Sequence, residues 1–334
     1  MKRLSRIITK NNNWGLPDML DKSYRIFIAG HHGMVGSAIV RRFRKEGYNN
    51  LLLCGRQDVD LRSKPSVEAF FKREKPDVVI LAAAKVGGIM DNLQHKAEFL
   101  LENLEIQNNV IYESLKTNVK KFCFLGSSCI YPRECPQPIK EEYLMQGPFE
   151  PTNEGYAIAK VAGYKLCQYF AEQYEFNAIS IMPCNLYGTN DHYDLNNSHV
   201  LAAFIRKFAD AADEGGAEVD VWGTGVARRE FLHVDDLADA IYFLMQNWDS
   251  PEFVNVGAGT DITIRELAEK IAAAAGFKGR IVWDSSKPDG MLKKCMDISK
   301  LKKIGFTPKI SLDEGIARTL REYRELKRAG DVRM

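Results

Sequence analysis

The segment Tyr24-Arg-Ile-Phe-Ile-Ala-Gly-His-His-Gly-Met-Val-Gly-Ser-Ala-Ile-Val-Arg-Arg-Phe-Arg-Lys-Glu46 changes its periodicity part-way along. Tyr24–Ala29 is a short apolar run, the pattern of a strand buried on both faces. Gly30-x-x-Gly33-x-x-Gly36 comes next, and Met34–Glu46 carries Val35, Ala38, Ile39 and Phe43 at helical spacing. Glycines at these points permit a tight turn and let the backbone approach a pyrophosphate at the helix N-terminus. The same spacing also occurs in ordinary strand-to-helix turns, so its weight depends on the chain downstream.

Downstream, the same strand-to-helix alternation repeats. Strand patterns at Leu51–Cys54, Asp77–Ala83, Lys121–Leu125 and Ala178–Met182 alternate with helical patterns at Lys64–Lys72, Lys96–Lys116 and Tyr156–Tyr174. Continuous apolar strands separated by helices imply a parallel sheet covered on both faces, an α/β fold of the doubly wound Rossmann type. After Pro183 the alternation weakens into loops rich in Asn, Gly and His. Phe231–Gln246 and Phe253–Val256 read as a return to the sheet, and Ile264–Ala275 as a helix of a smaller α/β lobe. The expected division is an extension at 1–23, a dinucleotide-binding domain at 24–186 and 230–256, and a substrate-binding domain at 187–229 and 257–334.

Composition narrows the function classes. Of 334 residues 45% are apolar and 27% charged, which places the chain among globular proteins. A formal charge of +2 is too balanced for a nucleic-acid or membrane surface, so an anionic ligand must be held locally. The longest run without a charge or break, Val78–Ala84, is far short of the roughly 20 residues a membrane helix needs. Met1–Asp21 lacks the apolar centre of a secretory signal, so the expected compartment is the cytoplasm. Seven scattered cysteines without a C-x-x-C pair argue against a disulfide framework and against a metal site.

Three motifs carry chemistry. The second strand ends in Cys54-Gly55-Arg56, where an NAD site usually places an acid on the ribose 2′-hydroxyl; a 2′-phosphate would meet a cation there, unless Arg56 is simply a solvated loop residue. Asp60-Leu61 lies further along, within reach of an adenine. Tyr156-Ala-Ile-Ala-Lys160 puts a phenol and an ammonium one helical turn apart, and the cation is expected to lower the phenol's pKa. Gly126-Ser127-Ser128-Cys129 comes after a strand and offers hydroxyls at the carboxyl edge of the sheet, where such folds bind ligands.

Together these motifs resemble the extended short-chain dehydrogenase/reductases that act on nucleotide sugars. Longer strings narrow the likeness: Ile28-Ala-Gly-His-His-Gly-Met-Val-Gly-Ser-Ala-Ile39, Leu81-Ala-Ala-Ala-Lys-Val-Gly-Gly88, Leu125-Gly-Ser-Ser-Cys-Ile-Tyr-Pro132, Pro151-Thr-Asn-Glu-Gly-Tyr-Ala-Ile-Ala-Lys160, Asn197-Ser-His199 and Arg229-Glu-Phe-Leu-His-Val-Asp-Asp236 resemble the GDP-L-fucose synthase family, as does Lys287-Pro-Asp-Gly290. The likeness implies NADPH-dependent 3,5-epimerisation and 4-reduction of GDP-4-keto-6-deoxy-D-mannose. It implies that Tyr156 protonates the C4 oxygen, that Lys160 positions the nicotinamide ribose, that Ser127 hydrogen-bonds the ketone, and that Cys129 and His199 are the epimerisation pair. For NADP(H) it implies Gly30, Gly33, Met34, Val35, Gly36, Arg56, Asp60 and Leu61. The wall beneath the cofactor would be Ala82, Ala83 and Ala84, and the nicotinamide end would be flanked by Lys160, Pro183, Asn185, Leu186 and His199. For the GDP-sugar it implies Lys207, Trp222, Arg229 and Asp289. It also implies a homodimer built through a four-helix interface.

Three positions depart from the family: His32 stands for an Arg in the glycine loop, Gly155 for a Pro before Tyr156, and Cys184 for a Thr. The first leaves preference for the 2′-phosphate to Arg56. The alternatives are the same or reductase-only chemistry on another GDP-4-keto sugar such as a heptose, a dehydratase or 4-epimerase, and an inactive cofactor-binding regulator. A dehydratase needs an acid pair where this chain has Ser127-Ser-Cys129, and a regulator has no need of Ser127, Tyr156 and Lys160 together.

Overall fold

The computed structural model describes residues 20–195, 198–287 and 290–333. Its first half is the expected series with one short helix, α3, added: β1 (Ile26–Ala29), α1 (Met34–Lys45), β2 (Leu51–Leu52), α2 (Lys64–Glu74), β3 (Val78–Leu81), α3 (Ile89–Gln94), α4 (Lys96–Lys116), β4 (Lys121–Leu125), α5 (Glu154–Tyr174) and β5 (Ala178–Pro183). The second half adds β6 (Asn185–Tyr187), α6 (Val200–Glu214), β7 (Glu218–Trp222), β8 (Arg228–Arg229), β9 (Phe231–His233), α7 (Val234–Asn247) and β10 (Val254–Val256). It closes with β11 (Ile262–Thr263), α8 (Ile264–Ala275), β12 (Arg280–Asp284), β13 (Lys293–Lys294), α9 (Ser299–Ile304) and α10 (Leu312–Ala329). Local chemistry sets the helix starts: Ser63 accepts the Ser66 N–H at the head of α2, and Thr263 and Glu266 exchange hydrogen bonds in a capping box at the head of α8.

Six strands pair in the order β10-β5-β4-β3-β1-β2, all parallel. From β1 the chain steps to β2 on one side, then lays β3, β4, β5 and β10 on the other. That reversal between β1 and β3 is where an open parallel sheet forms a ligand crevice beyond its strand ends. The register Ile26↔Val78 to Ala29↔Leu81 brings the turns after the two strands side by side. One apolar core runs through this sheet, with Phe27, Phe43, Phe71, Ile111 and Phe124. A second gathers Leu201, Phe208, Val221, Ile271 and Leu320 from α6, β7, α8 and α10.

Two stretches sit elsewhere than their patterns suggest. Phe231–His233 pairs with Asn185–Tyr187 in a separate two-stranded sheet, while Val254–Val256 joins the six strands beside Ile181–Pro183. Residues beyond 257 do not stay with the second core: Met296, Ile298, Leu301 and Phe306 pack in the first, with α9 against β10. The physical reason is coverage, since β10 is an edge strand whose buried side chains need a layer over them. Of the expected extension, Leu20 is buried and accepts a 2.7 Å hydrogen bond from the Tyr48 hydroxyl; residues 1–19 lie outside the described residues.

Candidate active site

The glycine turn is built by close approach. Gly30 has φ +88°, and a Cβ there would lie 2.7 Å from Ala83 N; a Cβ on Gly36 would lie 2.1 Å from the Gly30 carbonyl oxygen. The turn is closed by Gly33 N–H donating to Gly30 O at 3.0 Å, and Ala82 N–H donates to Ala29 O at 3.0 Å. Gly30 therefore meets Ala82 and Ala83 at the switch point, with Ala84 next along the chain, while Gly33 and Gly36 fold back onto Gly30 itself. Gly33 caps α1 without a side-chain acceptor, and no acid occupies the first turn. The Met34, Val35 and Gly36 N–H groups at this helix start suit the pyrophosphate of a dinucleotide. Arg56 is exposed in the turn after β2 and makes no ion pair among the described residues. Asp60 is held at about 2 by hydrogen bonds from the Arg62 side chain and backbone, and the Leu61 carbonyl accepts from Asn109 at 3.0 Å.

Past β4, Ser127 caps a short turn over Ser128–Ile130, its Oγ accepting the Cys129 N–H at 3.2 Å. Tyr156 and Lys160 project from the first turns of α5. Lys160 is 3% exposed and donates to the Leu125 carbonyl at 2.9 Å, its Nζ 5.6 Å from the centre of the Tyr156 ring. Burial pushes the Lys160 ammonium down to about 8. The expected lowering of the Tyr156 pKa is not what the structure gives. Burial raises it, the Cys129 thiol adds to the rise, and a hydrogen bond with Ser127 opposes it. The reason is that Lys160 spends its nearest contact on a backbone carbonyl, while the protein packed round the phenol removes the water that would solvate a phenolate.

Cys129 is half-buried, with two donors at its sulfur: Asn153 Nδ2 at 3.2 Å and Lys294 Nζ at 3.9 Å. His199 stands at the head of α6, exposed, and makes no hydrogen bond to Ser127, Cys129 or Tyr156 among the described residues. Its pKa lies below the ordinary histidine value because surrounding protein, and secondarily His192, disfavour the cation. Pro183 ends β5 beside Val256, and Asn185 donates to the Glu230 carbonyl at 2.9 Å, which ties the run through Leu186 to β9. Lys207 donates to the Asp220 carbonyl at 2.7 Å, two residues before Trp222, whose ring is 53% exposed under Lys287 Nζ. Arg229 donates to the Met291 carbonyl, and a Cβ on Gly290 would lie 3.3 Å from its Nη2. Asp289 lies outside the described residues. A cavity of about 820 Å³ between β8, α8 and the start of α10 includes Arg229 but none of Ser127, Cys129, Tyr156 or Lys160.

The pattern that defines the NAD dependent epimerase/dehydratase family matches residues 26–257. The chain belongs to that family. This epimerase/dehydratase is similar to GDP-L-fucose synthase 1 of Arabidopsis thaliana, at 53% identity covering 91% of this chain and 94% of the relative. It is similar also to GDP-L-fucose synthase of Escherichia coli (strain K12), at 46% identity covering 90% and 97%. Among solved structures, a GDP-mannoheptose C4 reductase from Campylobacter jejuni with NADP bound superposes with TM-score 0.84 at 38% identity, covering 91% of this chain and 99% of that one.

Two residues of this epimerase/dehydratase that the sequence analysis does not single out touch the thiol. Lys294 sits in a Lys293-Lys294 pair that looks solvated, and the pairing of β13 with β8, together with the hydrogen bonds of Lys293 and Cys295 with Gln137, carries it to Cys129. Asn153 carried a signal, since it precedes a helix and is a residue type favoured at caps; it caps α5 but spends its amide on sulfur. Gly155 has a local reason: a Cβ there would lie 2.6 Å from the Lys96 carbonyl at the head of α4. The His32 and His31 rings meet with centres 3.9 Å apart and planes tilted by 41°, and Cys184 is a buried thiol with its pKa raised by desolvation.

Proposed function

We propose that this protein is an NADPH-dependent epimerase and reductase that converts GDP-4-keto-6-deoxy-D-mannose to GDP-L-fucose. The observation that carries the reading is that a thiol, Cys129, shares one sheet edge with Ser127, Tyr156 and Lys160, in a chain about half identical to GDP-L-fucose synthases. A nicotinamide held at this site would supply the hydride for the sugar's C4. Protons at C3 and C5, beside the ketone, become acidic when the growing oxyanion meets donors, a part suited to the Ser127 and Tyr156 hydroxyls. Cys129 and His199 are the groups proposed to exchange those protons, with Asn153 and Lys294 steadying charge at the sulfur. Tyr156 then delivers its proton to the C4 oxygen, and a raised pKa keeps the phenol protonated until that moment.

Arg56 supports preference for the 2′-phosphate of NADPH, the exposed cation that His32 does not supply. Lys207 and Arg229 suit a pyrophosphate, and Trp222 a stacking surface. Apolar side chains left open on α4 and α5 (Leu101 58%, Tyr112 46%, Ile158 41% and Tyr169 49% exposed) support a homodimer through these two helices. Seven unpaired cysteines support the cytoplasm as its compartment, and no helix among the described residues is long and apolar enough to cross a membrane. The heptose reading rests on the likeness to the C. jejuni reductase. Offering GDP-4-keto-6-deoxy-D-mannose and a GDP-4-keto-heptose side by side, and monitoring NADPH oxidation, separates the two. The 6-deoxyhexose should be turned over faster, and Tyr156→Phe should lose about 10²–10⁴-fold in rate; preference for the heptose would reverse the assignment.

A further inference from the structure

Asn190 joins parts of the molecule that the mechanism leaves separate. Its side-chain amide donates to the His32 carbonyl at 2.9 Å and to Ser37 Oγ at 3.4 Å, both at the glycine turn and α1. Its N–H donates to Glu322 Oε1 on α10 at 3.0 Å, and its carbonyl accepts from Arg333 at 3.1 Å. The Arg333 carbonyl in turn accepts the Tyr193 N–H at 2.8 Å. The C-terminal segment thus straps the 190–193 loop, and the loop grips the turn.

The grip falls on one peptide. The unit between His32 and Gly33 has its carbonyl held by Asn190 and its N–H held by the Gly30 carbonyl. With both ends fixed, the plane of that peptide sets the direction of the next N–H groups along the chain, those of Met34, Val35 and Gly36. Asn190 does this from the left-handed region, φ +67°, which asparagine tolerates better than most residues. We infer that Asn190 is a positioning residue for the dinucleotide turn, and that Glu322 and Arg333 fix it from the other side. The inference rests on the proposed reading of that turn as the NADPH site.

Fluorescence titration of NADPH with the full chain tests it. Asn190→Gly keeps the backbone conformation and removes the amide; Asn190→Asp is nearly isosteric but turns an acceptor toward the His32 carbonyl. Both should weaken NADPH binding about 10-fold, the loss of one or two neutral hydrogen bonds, while KM for the GDP-sugar stays within about twofold. Arg333→Ala should weaken NADPH binding by a smaller factor, about 2 to 3, because the amide contact survives. Binding by Asn190→Gly as tight as wild type, or parallel loss of both affinities with a fall in Tm, would overturn the inference. Failure of the wild type to bind NADPH would instead overturn the cofactor reading beneath it.

Discussion

Lys160 is the residue whose environment has the clearest consequence. Its ammonium sits at about 8 against an ordinary 10.5, because burial penalises the charged form. Below that value the residue carries charge and can orient a ribose; above it the charge is lost. The expected result is that kcat/KM for NADPH, which reports the free enzyme, falls about tenfold per pH unit above roughly pH 8. In Lys160→Arg the guanidinium stays charged, so that limb should disappear from the accessible range even though the rate is lower. A profile flat to about pH 10 in the wild type would contradict this role. The i, i+4 pairing of Tyr156 and Lys160 is legible in the sequence, whereas the direction of the tyrosine's shift is not. That direction depends on how much protein surrounds the phenol and on Lys160 choosing the Leu125 carbonyl, neither of which spacing encodes.

At the scale of elements, the alternation from β1 to β5 is dictated by period and glycine placement, and the six-strand order supplies the switch point. What sequence does not reveal is where short strands pair. Phe231–His233 is as fully buried as the strands of the main sheet, yet its partner is Asn185–Tyr187, because β6 continues directly from the end of β5 and offers a free edge. Leu312–Ala329 carries Ile316, Leu320 and Tyr323 at helical spacing among many charges, which marks one apolar face, but that this face packs with α6 and α8 is shown only by the fold. The meeting of α4 and α5 gives a sharper test. Gly155→Ala would set a Cβ 2.6 Å from the Lys96 carbonyl, a contact that backbone must shift to relieve. It should cost about 1–3 kcal/mol in urea unfolding and disturb the start of the helix that carries Tyr156; unchanged stability would mean the two helices separate freely there.

Over the whole molecule, the two cores are threaded by a chain that crosses between them several times, ending with Met296–Phe306 in the first and α10 in the second. Lys294 lies on one of these crossings, which is why a residue 165 positions from Cys129 in sequence reaches its sulfur. The open faces of α4 and α5 predict association: Leu101→Glu with Tyr169→Glu should convert a dimer to a monomer by light scattering with both cores intact, and a wild-type monomer would remove that expectation. The central claim is that one site performs proton exchange at C3 and C5 as well as reduction at C4. It is tested most directly by turnover of GDP-4-keto-6-deoxy-D-mannose with NADPH in D₂O, the product being read by NMR. The wild type should give GDP-L-fucose carrying deuterium at C3 and C5 and protium from NADPH at C4, while Cys129→Ser, nearly isosteric but far less acidic, should show little exchange. A reduced product without deuterium at C3 and C5, or Cys129→Ser exchanging at the wild-type rate, would contradict it.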